Sequence, residues 1–375
     1  MLILITGGAG FIGSHLADEL LNLNHEIIIY DSLEPQVHGD SNKNPPEYLS
    51  KEVTFIYNDI RNRVPLKDAI SDVEVIFHLA AMVGVGQSMY QIDKYVNVNV
   101  TGTAKLLDIL VNEENDVKNL IVASSMSTYG EGAFICENCH DINPSIRDLE
   151  QLKRRQWELV CPECGIEAQP IPTPENKSQD CTSIYALTKK EQEKMCLLIG
   201  DTYGIDTTAL RLFNVYGSRQ ALSNPYTGVC AIFSTSLLAN NPPIIYEDGN
   251  QTRDLVHIKD VCQAFILAMK NKQSKNDVFN VGTGRAITIN KIAETLSKHI
   301  NPKIKPNITY KYRQGDIRHC FSDISKISSK LGYKPQHSFE KGMEELIEWI
   351  KLEKGKVKDK ALKTDQELQK RGLVN

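Results

Sequence analysis

Short apolar runs alternate with segments of helical periodicity along the first third of the chain. The apolar runs are LILIT (2–6), EIIIYD (26–31), TFIYND (54–59), VEVIFHLAA (73–81) and NLIVASS (119–125). A helical pattern follows the first run over residues 14–23. Apolar strands that are separated by helices indicate a parallel sheet covered on both faces. The pattern therefore predicts an α/β fold built on a doubly wound parallel sheet.

Composition and charge restrict the possible partners. The chain has 375 residues, enough for one large domain or two unequal ones, and its net charge of −4 gives no reason to expect a nucleic acid or a membrane as partner. The opening MLILIT has no charged segment before it, and no apolar run approaches about eighteen residues, so neither a signal peptide nor a membrane span is expected. The nine cysteines, an odd number, favour a reducing cytoplasmic location over a disulfide framework.

The first predicted strand runs into a glycine-rich turn, TGGAGFIG at residues 6–13. Its glycines permit a tight turn, a close approach of the backbone to a pyrophosphate and close packing of helix on strand. Asp31 ends the second strand eighteen residues after Gly13 (31 − 13 = 18). A carboxylate there accepts hydrogen bonds from ribose hydroxyls and repels a 2′-phosphate. These features predict a Rossmann domain that binds NAD rather than NADP.

Further cofactor contacts are expected at the ends of the third and fourth strands. Asp59 is placed to reach the adenine, although a carboxylate at a strand end is equally typical of a simple turn. The HLAA stretch (78–81) ends the fourth apolar run. The cofactor-binding residues predicted from these motifs are Gly7, Gly10, Phe11, Ile12, Gly13, Asp31, Asp59, Ile60, Leu79, Ala80 and Ala81.

A serine, a tyrosine and a lysine supply the candidate chemistry. Ser125 ends the fifth apolar run, and Tyr185 and Lys189 lie four residues apart in YALTK, which places both on one face of a helix. An ammonium beside a phenol lowers the phenol pKa, so a tyrosinate would act as a base near neutral pH. The serine would hold the reacting hydroxyl. This spacing alone is common on solvated helices, and its combination with the glycine turn, Asp31 and HLAA favours catalysis.

Together these motifs resemble the extended short-chain dehydrogenase/reductases of the nucleotide-sugar epimerase and dehydratase group. The resemblance runs from Met1 to about Leu352 and is interrupted only by a cysteine-containing segment. It includes NVNVTGT around Asn99, RLFNVYG around Asn214, QTRDLVH around Arg253, NVGTG (280–284) and RQGD (313–316). It implies an NAD-holding Rossmann domain, a smaller C-terminal domain over a nucleoside diphosphate, and a homodimer formed through the helix near residues 183–203 and the helix after Asn99.

The same resemblance implies roles for further residues. Additional cofactor contacts would come from Asn99, Tyr185 and Lys189. Substrate contacts would come from Ser125, Asn214, Tyr246, Arg253, Arg313 and Asp316. The two arginines would bind the diphosphate, to which a bidentate guanidinium is suited, and the tyrosine at 246 would stack on the base.

The two residues after the serine distinguish among the reactions of this group. Relatives that eliminate water or decarboxylate carry acidic residues there, whereas this chain has Met126 and Ser127, and neither transfers a proton at neutral pH. The remaining reaction needs only Ser125, Tyr185, Lys189 and NAD. The sugar is oxidised at C4, the bound 4-keto sugar turns over, and the hydride returns to its other face. This predicts an NAD-dependent nucleotide-sugar 4-epimerase.

The resemblance is closest to the dTDP-L-rhamnose 4-epimerase-like proteins, which share a cysteine-containing insert, PTPE (172–175) and the segment ALSNPYTGVCAIF (221–233). A dTDP-6-deoxyhexose such as dTDP-L-rhamnose is the substrate that this implies. A UDP-hexose 4-epimerase and a nucleotide 4-keto-sugar reductase are alternative enzymes. A catalytically inactive NAD-binding scaffold is disfavoured by the intact Ser125, Tyr185 and Lys189, and a zinc-ribbon nucleic-acid binder is disfavoured by the acidic balance.

Two Cys-x-x-Cys pairs, in CENCH (136–140) and CPEC (161–164), lie between Ser125 and Tyr185. They predict a structural zinc site with the ligands Cys136, Cys139, Cys161 and Cys164, and with His140 as the alternative to the second cysteine. Four sulfurs leave no position for a reacting water. The segment is poor in apolar residues and can hardly bury a core of its own, so the metal would supply its folding energy. Its position would let it cover the sugar pocket or brace a subunit contact.

These features divide the chain into five segments. The predicted boundaries are 1–132 for the first part of the Rossmann domain, 133–172 for a zinc-ribbon-like insert, 173–215 for the second part of the Rossmann domain with the Tyr-x-x-x-Lys helix, 216–352 for a mainly nucleotide-sugar-binding domain with segments that return to the Rossmann domain, and 353–375 for a charged tail. The tail is expected to be a helical, solvated extension. The cysteines at 181, 196, 230, 262 and 320 are expected to be small core residues.

Overall fold

The computed structural model describes residues 1–39, 43–144, 146–313, 315–353, 355 and 357–375, so Gln314 of the RQGD motif lies outside the described residues. The strands are β1 (Leu2–Thr6), β2 (Glu26–Asp31), β3 (Thr54–Tyr57), β4 (Val75–His78), β5 (Asn119–Ser125), β6 (Ala133–Cys136), β7 (His140–Ile142), β8 (Gln169–Ile171), β9 (Asp206–Leu212), β10 (Asn214–Tyr216), β11 (Ile244–Ile245), β12 (Thr252–Arg253), β13 (Leu255–His257), β14 (Asp277–Val281), β15 (Ile287–Thr288), β16 (Asn307–Ile308) and β17 (His319–Cys320).

The helices are α1 (Phe11–Asn22), α2 (Pro35–His38), α3 (Arg63–Ile70), α4 (Val85–Ser88), α5 (Ile92–Tyr95), α6 (Gly102–Asn112), α7 (Leu149–Lys153), α8 (Ile184–Tyr203), α9 (Val229–Leu238), α10 (Ile258–Lys270), α11 (Ile289–Ile300), α12 (Ser325–Leu331), α13 (Phe339–Leu352) and α14 (Ala361–Lys370). A π-helix at Val96–Thr101 runs directly into α6, and 3₁₀ turns lie at Met126–Tyr129 and Lys272–Ser274. Within the described chain, no helix is both long enough and apolar enough to span a membrane.

A parallel sheet of seven strands, in the order β14–β9–β5–β4–β1–β2–β3, organises the described part of the chain. The chain adds β2 and β3 on one side of β1 and then crosses to β4 on the other side. Thr6 at the end of β1 therefore pairs with both Tyr30 of β2 and His78 of β4. A crevice opens at the carboxyl ends of the strands where the order reverses. The doubly wound sheet predicted from the apolar runs is confirmed, and the crevice gives the position of the site.

Two hydrophobic clusters cover the two faces of this sheet because successive strand residues point to opposite sides. Ile3 and Ile5 of β1 pack in the cluster that contains Leu16 of α1 and Phe265 of α10. Leu4 packs in the opposite cluster, which contains buried residues of α3, α6 and α8. Burial on both faces is the reason why these strands read as continuous apolar runs.

The C-terminal domain has a third core, formed by α9, α11 and α13, with Leu237, Leu296 and Leu346 at its centre. The chain does not stay within this domain. Strand β14 pairs in parallel with β9 of the large sheet, from Asp277 opposite Thr208 to Val281 opposite Leu212. Segments of residues 216–352 therefore return to the Rossmann domain.

The insert (residues 133–172) contains a three-stranded antiparallel sheet in the order β7–β6–β8. Phe134, Leu159 and Ala168 form a small buried cluster inside it. A second cluster joins Leu152 and Trp157 of the insert to Tyr312 of the C-terminal domain. The expectation that the insert buries almost no core of its own therefore needs correction, since apolar residues spaced through the segment pack together.

The C-terminal strap (residues 361–375) contains the predicted helix, α14, but the expectation that it is solvated is wrong. Leu368 is 3% exposed and packs on Gly86, and Val374 is 4% exposed. The main chains of Tyr312 and Asn375 exchange two hydrogen bonds, of 2.9 and 3.0 Å. The strap thus contacts both the Rossmann domain and the C-terminal domain, because Leu368 of α14 and Val374 beyond the helix are buried despite the charged composition of the segment.

Candidate active site

The glycine turn packs directly against the segment that follows β4. Gly7 has φ +71°, and a Cβ atom there would lie 2.8 Å from the main-chain nitrogen of Ala80. A Cβ atom on Gly13 would lie 2.6 Å from Cα of Gly8. Only glycine fits at these two positions. Helix α1 begins at Phe11 with no side-chain cap, so the positive end of its dipole is available to a diphosphate.

Two carboxylates follow the neighbouring strands. Asp31 ends β2, where its Oδ2 accepts a hydrogen bond from Ala9 N (3.0 Å) and its Oδ1 accepts one from Leu33 N (2.8 Å). Burial raises the pKa of Asp31, and the nearby His38 and the backbone hydrogen bonds oppose this. Asp59 forms two hydrogen bonds with the Arg61 guanidinium, of 2.8 and 2.7 Å. The Asp59 carboxylate is therefore engaged within the protein.

A cavity of about 480 Å³ lies in the crevice. The predicted cofactor-binding residues that line it are Gly7, Gly10, Phe11, Ile12, Gly13, Asp31, Asp59, Ile60, Leu79, Ala80, Ala81, Tyr185 and Lys189. Ser125 and Asn214, predicted to contact substrate, line the same cavity. The structure thus brings together residues that lie up to 207 positions apart in the sequence (214 − 7 = 207).

Ser125, Tyr185 and Lys189 meet where β5 and α8 approach each other. Ser183 caps α8, its Oγ accepting a hydrogen bond from Ala186 N (3.1 Å), and this sets the first turn of the helix that carries Tyr185. The Tyr185 and Ser125 side chains both line the cavity, and Ser125 lies near the Tyr185 hydroxyl. Ser125 Oγ also accepts hydrogen bonds from Ser127 N (3.2 Å) and Ser127 Oγ (2.9 Å). A sugar hydroxyl placed between Ser125 and Tyr185 would meet a hydrogen-bonding group on each side.

Burial is the dominant influence on the two titratable groups. It raises the pKa of Tyr185, and the hydrogen bond with Ser125 lowers it in part. Burial also lowers the pKa of Lys189 to about 8. The Lys189 ammonium donates to Gln192 Oε1 at 2.9 Å. The sequence predicted that Lys189 would lower the pKa of Tyr185, whereas in the structure burial raises it.

Asn99 lies behind the cavity wall and not in it. Its Oδ1 accepts a hydrogen bond from Met82 N (2.7 Å), and its Nδ2 donates to Thr188 Oγ1 (2.9 Å). These bonds join the segment after β4 to helix α8. The structure gives Asn99 a positioning role in place of the predicted direct contact, because its amide is saturated by neighbouring protein groups.

Comparison with known proteins tests the resemblance. Residues 3–148 match the model of the NAD dependent epimerase/dehydratase family, and residues 167–346 match the model described as GDP-mannose 4,6 dehydratase. A dTDP-L-rhamnose 4-epimerase from Burkholderia thailandensis is 34% identical to this chain over 94% of its length and 95% of the relative. The chain belongs to the NAD-dependent epimerase/dehydratase family.

Solved structures agree with this assignment. UDP-glucose 4-epimerase from Thermotoga maritima, crystallised with UDP-glucose, matches with a TM-score of 0.75 and 28% identity over 94% of this chain and 99% of that chain. UDP-glucuronic acid 4-epimerase from Bacillus cereus, in complex with UDP-glucuronic acid and NAD, matches with a TM-score of 0.70 and 27% identity over 94% and 99%. The protein is an NAD-dependent nucleotide-sugar epimerase, as predicted.

The carboxylates that line the cavity of this epimerase lie at its cofactor end. Among the lining residues that the structure describes, the acidic ones are Asp31, Glu34 and Asp59. Asp59 pairs with Arg61, and Glu34 pairs with Lys94 at 2.8 Å. Met126 and Ser127 line the cavity beside Ser125. The reacting end of the cavity, at Ser125, Tyr185 and Lys189, therefore has no acidic residue in its described lining, whereas dehydration of the sugar would require one.

The other predicted substrate residues lie in the C-terminal domain, outside the cavity lining. The Arg313 guanidinium stacks 4.1 Å from the centroid of the Tyr246 ring. Arg253 lies 3.5 Å from Asp316 Oδ1. The Tyr246 hydroxyl donates a hydrogen bond to Asp365 of the C-terminal strap. The four side chains form a polar cluster beside the strap, and Arg313 occupies one face of the ring predicted to stack on a base.

The four predicted metal ligands converge. The sulfurs of Cys136, Cys139, Cys161 and Cys164 all lie within 4.8 Å of one another. Cys136 Sγ is 3.4 Å from Cys164 Sγ. His140, the alternative ligand, is not part of this group. Four thiols at such distances fit one tetrahedral zinc ion, for which a zinc–sulfur bond of about 2.3 Å is usual.

Sequence reasoning missed several residues of the site. Gln192 holds Lys189, and Gln192 Nε2 in turn donates to Thr103 Oγ1 at 2.8 Å. Gln192 lies seven residues after Tyr185, which puts both on one face of a helix, and this spacing could have identified Gln192 from the sequence. Gln220, Asn224 and Tyr226 also line the cavity. They lie in a loop, where no periodicity indicates which side chains point inward.

Proposed function

We propose that this epimerase inverts C4 of a dTDP-6-deoxyhexose, with dTDP-L-rhamnose as the leading candidate. The observation that carries the proposal is the cavity itself, in which Ser125, Tyr185 and Lys189 converge without a carboxylate among the described residues of the reacting end. Inversion at C4 needs proton transfer at one hydroxyl and hydride transfer at one carbon, which this set provides together with NAD.

The glycine turn suits NAD because Gly7, Gly10 and Gly13 line the cavity without side chains beside the uncapped start of α1. Bound NAD would accept the C4 hydrogen as hydride and later return it, and its oxidised ring would add a positive charge that favours the tyrosinate form of Tyr185. Tyr185 removes the proton from the C4 hydroxyl while Ser125 holds that hydroxyl by a hydrogen bond. After the 4-keto sugar has rotated, Tyr185 would return the proton to the C4 oxygen as the hydride adds to the opposite face of C4.

The apolar character of the reacting end supports a 6-deoxy sugar. Met82 packs with Tyr185, and Met126 follows Ser125 directly. A methyl group at C6 is compatible with such neighbours, whereas a carboxylate at C6 would require a cation. Of the cationic residues in the described lining, Arg61 and Lys94 are paired with Asp59 and Glu34, and Lys189 is held by Gln192.

A panel of dTDP-, UDP- and GDP-hexoses, incubated with purified protein without added cofactor and followed by NMR, tests this function. The expected result is conversion of dTDP-L-rhamnose to its C4 epimer with no net change in NADH absorbance, and no conversion by Tyr185→Phe. A higher kcat/KM for UDP-glucose would move the assignment to a UDP-hexose 4-epimerase. Stoichiometric consumption of NADH would identify a 4-keto-sugar reductase.

We also infer that the four clustered cysteines hold one structural zinc ion. Four thiolates complete a tetrahedral shell and leave no position for a reacting water, so the metal would shape the insert and take no part in catalysis. The small cores found in the insert reduce the folding energy that the metal must supply. They do not explain why four thiols converge at one point.

A homodimer formed through α8 is the assembly we propose. Leu187 and Leu198 of α8 are 45% and 66% exposed, and their separation of eleven positions corresponds to about three turns, which puts both on one face. Val96, at the start of the preceding π-helix, is also exposed. A second copy of this surface would cover these residues, and light scattering of Leu198→Glu against wild type tests this assembly.

A further inference from the structure

The insert is joined to the C-terminal domain by buried charges. Arg147 of the insert is 5% exposed, and its Nη1 donates to Glu247 Oε2 at 2.8 Å. Its Nη2 donates to the main-chain oxygen of Asp316 at 3.0 Å. A guanidinium is seldom buried without such partners, since desolvation of an unpaired charge is costly. Arg147 therefore ties the insert to Glu247 and Asp316 of the C-terminal domain.

Glu158 of the insert also binds residues 316–319, through Arg318 and His319. Its Oε2 lies 2.8 Å from His319 Nε2, and its Oε1 accepts a hydrogen bond from Arg318 Nε at 3.0 Å. Arg318 is fully buried and also binds Asp248 Oδ1 at 2.7 Å. Although burial opposes it, hydrogen bonds from His319 and Arg318 lower the pKa of Glu158 to about 2. Glu158 is thus charged throughout the neutral range.

Residues 316–319 in turn hold Arg253. Its Nη2 donates to the main-chain oxygen of Ile317 at 2.7 Å and lies 3.5 Å from Asp316 Oδ1. Its Nη1 donates to the main-chain oxygens of Arg318 at 3.0 Å and Thr252 at 2.8 Å, which leaves Nε as the donor for a substrate. Glu131, which precedes the insert, accepts hydrogen bonds from Arg318 N through both carboxylate oxygens, each at 2.8 Å. The orientation of the Arg253 guanidinium therefore depends on residues 316–319, which the insert and Glu131 hold in place.

The cysteine cluster lies at the end of the strand-like segment that carries Glu158. Cys161 N donates to Ile166 O at 2.7 Å, and Ala168 N donates to Leu159 O at 2.9 Å. These bonds close the hairpin between Glu158 and the Cys161–Cys164 pair. A metal bound by the four sulfurs would hold this hairpin in the shape that presents Glu158 to Arg318.

We propose that the insert is a brace for the nucleotide subsite, in which Arg147 and Glu158 are positioning residues that aim Arg253 at the substrate diphosphate. This rests on the proposed function, in which Arg253 binds that diphosphate. The brace explains why the insert is needed near a catalytic centre that it does not line. Within the described lining of the cavity there is no residue of the insert, in contrast to the expectation that the insert covers the sugar pocket. The expected contact of the insert with a second subunit stays a prediction.

Glu158→Gln tests the brace, because it keeps the side-chain volume and removes the charge that pairs with Arg318 and His319. The expected result is an affinity for dTDP, measured by calorimetry, that falls about tenfold, with KM for the nucleotide sugar rising in parallel and kcat within about twofold of wild type. NAD affinity should not change. Lys153→Ala, an exposed residue of the same insert, is the matched control.

Conservative rescue and metal removal separate positioning from a general loss of structure. Arg147→Lys should retain more dTDP affinity than Arg147→Ala, because it keeps one charged donor near Glu247 and Asp316. Chelation of wild type should lower dTDP affinity as Glu158→Gln does, and chelation of the variant should add little, since both changes release the same segment.

The outcomes distinguish the brace from the underlying function. A folded Glu158→Gln protein with wild-type dTDP affinity would overturn the brace, as would equal and additive effects of chelation in the variant and in wild type. If wild type binds NAD but neither dTDP nor UDP, the proposed function itself fails. A drop in NAD affinity equal to the drop in dTDP affinity would show a general structural role and would also contradict the brace.

Discussion

Lys189 Nζ donates a hydrogen bond to Gln192 Oε1 at 2.9 Å, three residues further along α8. Gln192 is itself fixed, since its Nε2 donates to Thr103 Oγ1 at 2.8 Å. A neutral acceptor beside a buried ammonium stabilises the charged form, whereas burial alone lowers the Lys189 pKa. Gln192 therefore holds the catalytic lysine in position and opposes the loss of its proton.

The pH dependence of kcat/KM should reflect the hydrogen bond between Lys189 and Gln192. Because the pKa of Lys189 is about 8, the ammonium is lost as pH rises through 8, and kcat/KM should fall there. Gln192→Leu removes the acceptor, so this basic limb should move to lower pH, and Gln192→Glu should move it to higher pH. Lys194→Gln, on the exposed side of α8, is the control. Identical basic limbs in the two Gln192 variants would contradict the role given to this hydrogen bond.

The free energy of unfolding should also depend on pH in this region, and it should increase with pH where kcat/KM decreases. The Lys189 pKa is about 8 in the folded chain and about 10.4 in an unfolded one, so folding releases a proton between these values. The contribution of Lys189 to the free energy of unfolding should therefore increase as pH rises from 8 to 10. Urea titrations of wild type and Lys189→Met across this range measure the difference, which should vanish near the upper limit.

Removal of the base should strongly reduce turnover and leave cofactor binding intact. Tyr185→Phe lacks the hydroxyl that the proposed proton transfer requires, so kcat should fall by about a hundredfold or more. NAD affinity should stay close to that of wild type because the ring remains in the wall. Calorimetry with NAD and NMR of the sugar provide the two readouts. Near-normal turnover in this variant would remove Tyr185 from the mechanism.

Metal analysis should find about one zinc ion per chain. Cys136→Ser combined with Cys161→Ser should lose it, because two sulfurs of the cluster are removed, and proteases should then cut the insert more readily. NAD binding by the Rossmann domain should survive. Cys181→Ser, which changes a thiol outside the cluster, should keep its metal. A metal-free protein with a protease-resistant insert would be incompatible with the site.

The C-terminal strap should open when its apolar contact is weakened. Leu368 is 3% exposed against Gly86, and truncation to alanine should cost about 2 kcal/mol of local stability. Leu362 lies on the same helix and is 54% exposed, so Leu362→Ala should have little effect. Limited proteolysis of residues 361–375 compares the two variants with wild type. Equal cleavage rates for both would show that the strap does not depend on this contact.

The sequence determined the parts of this protein that rest on local repetition and on short motifs. Strand β1 was predicted residue by residue, because a strand buried on both faces must be apolar throughout. The glycine turn, Asp31 and the Tyr185–Lys189 spacing indicated the cofactor and the chemistry, since each is a geometric requirement carried by neighbouring residues. The Cys-x-x-Cys pairs were equally readable for the same reason.

Only the tertiary structure decided what depends on contacts between distant segments. Asn99 was assigned to the cofactor, yet its amide is saturated by Met82 and Thr188, which no local pattern reveals. The strap looked solvated because its composition is charged, and the burial of Leu368 depends on a surface that other elements create. The pairing of Glu158 with Arg318 joins residues 160 positions apart. Burial strengthens the interaction between the two charges, and composition does not indicate which distant charges will pair.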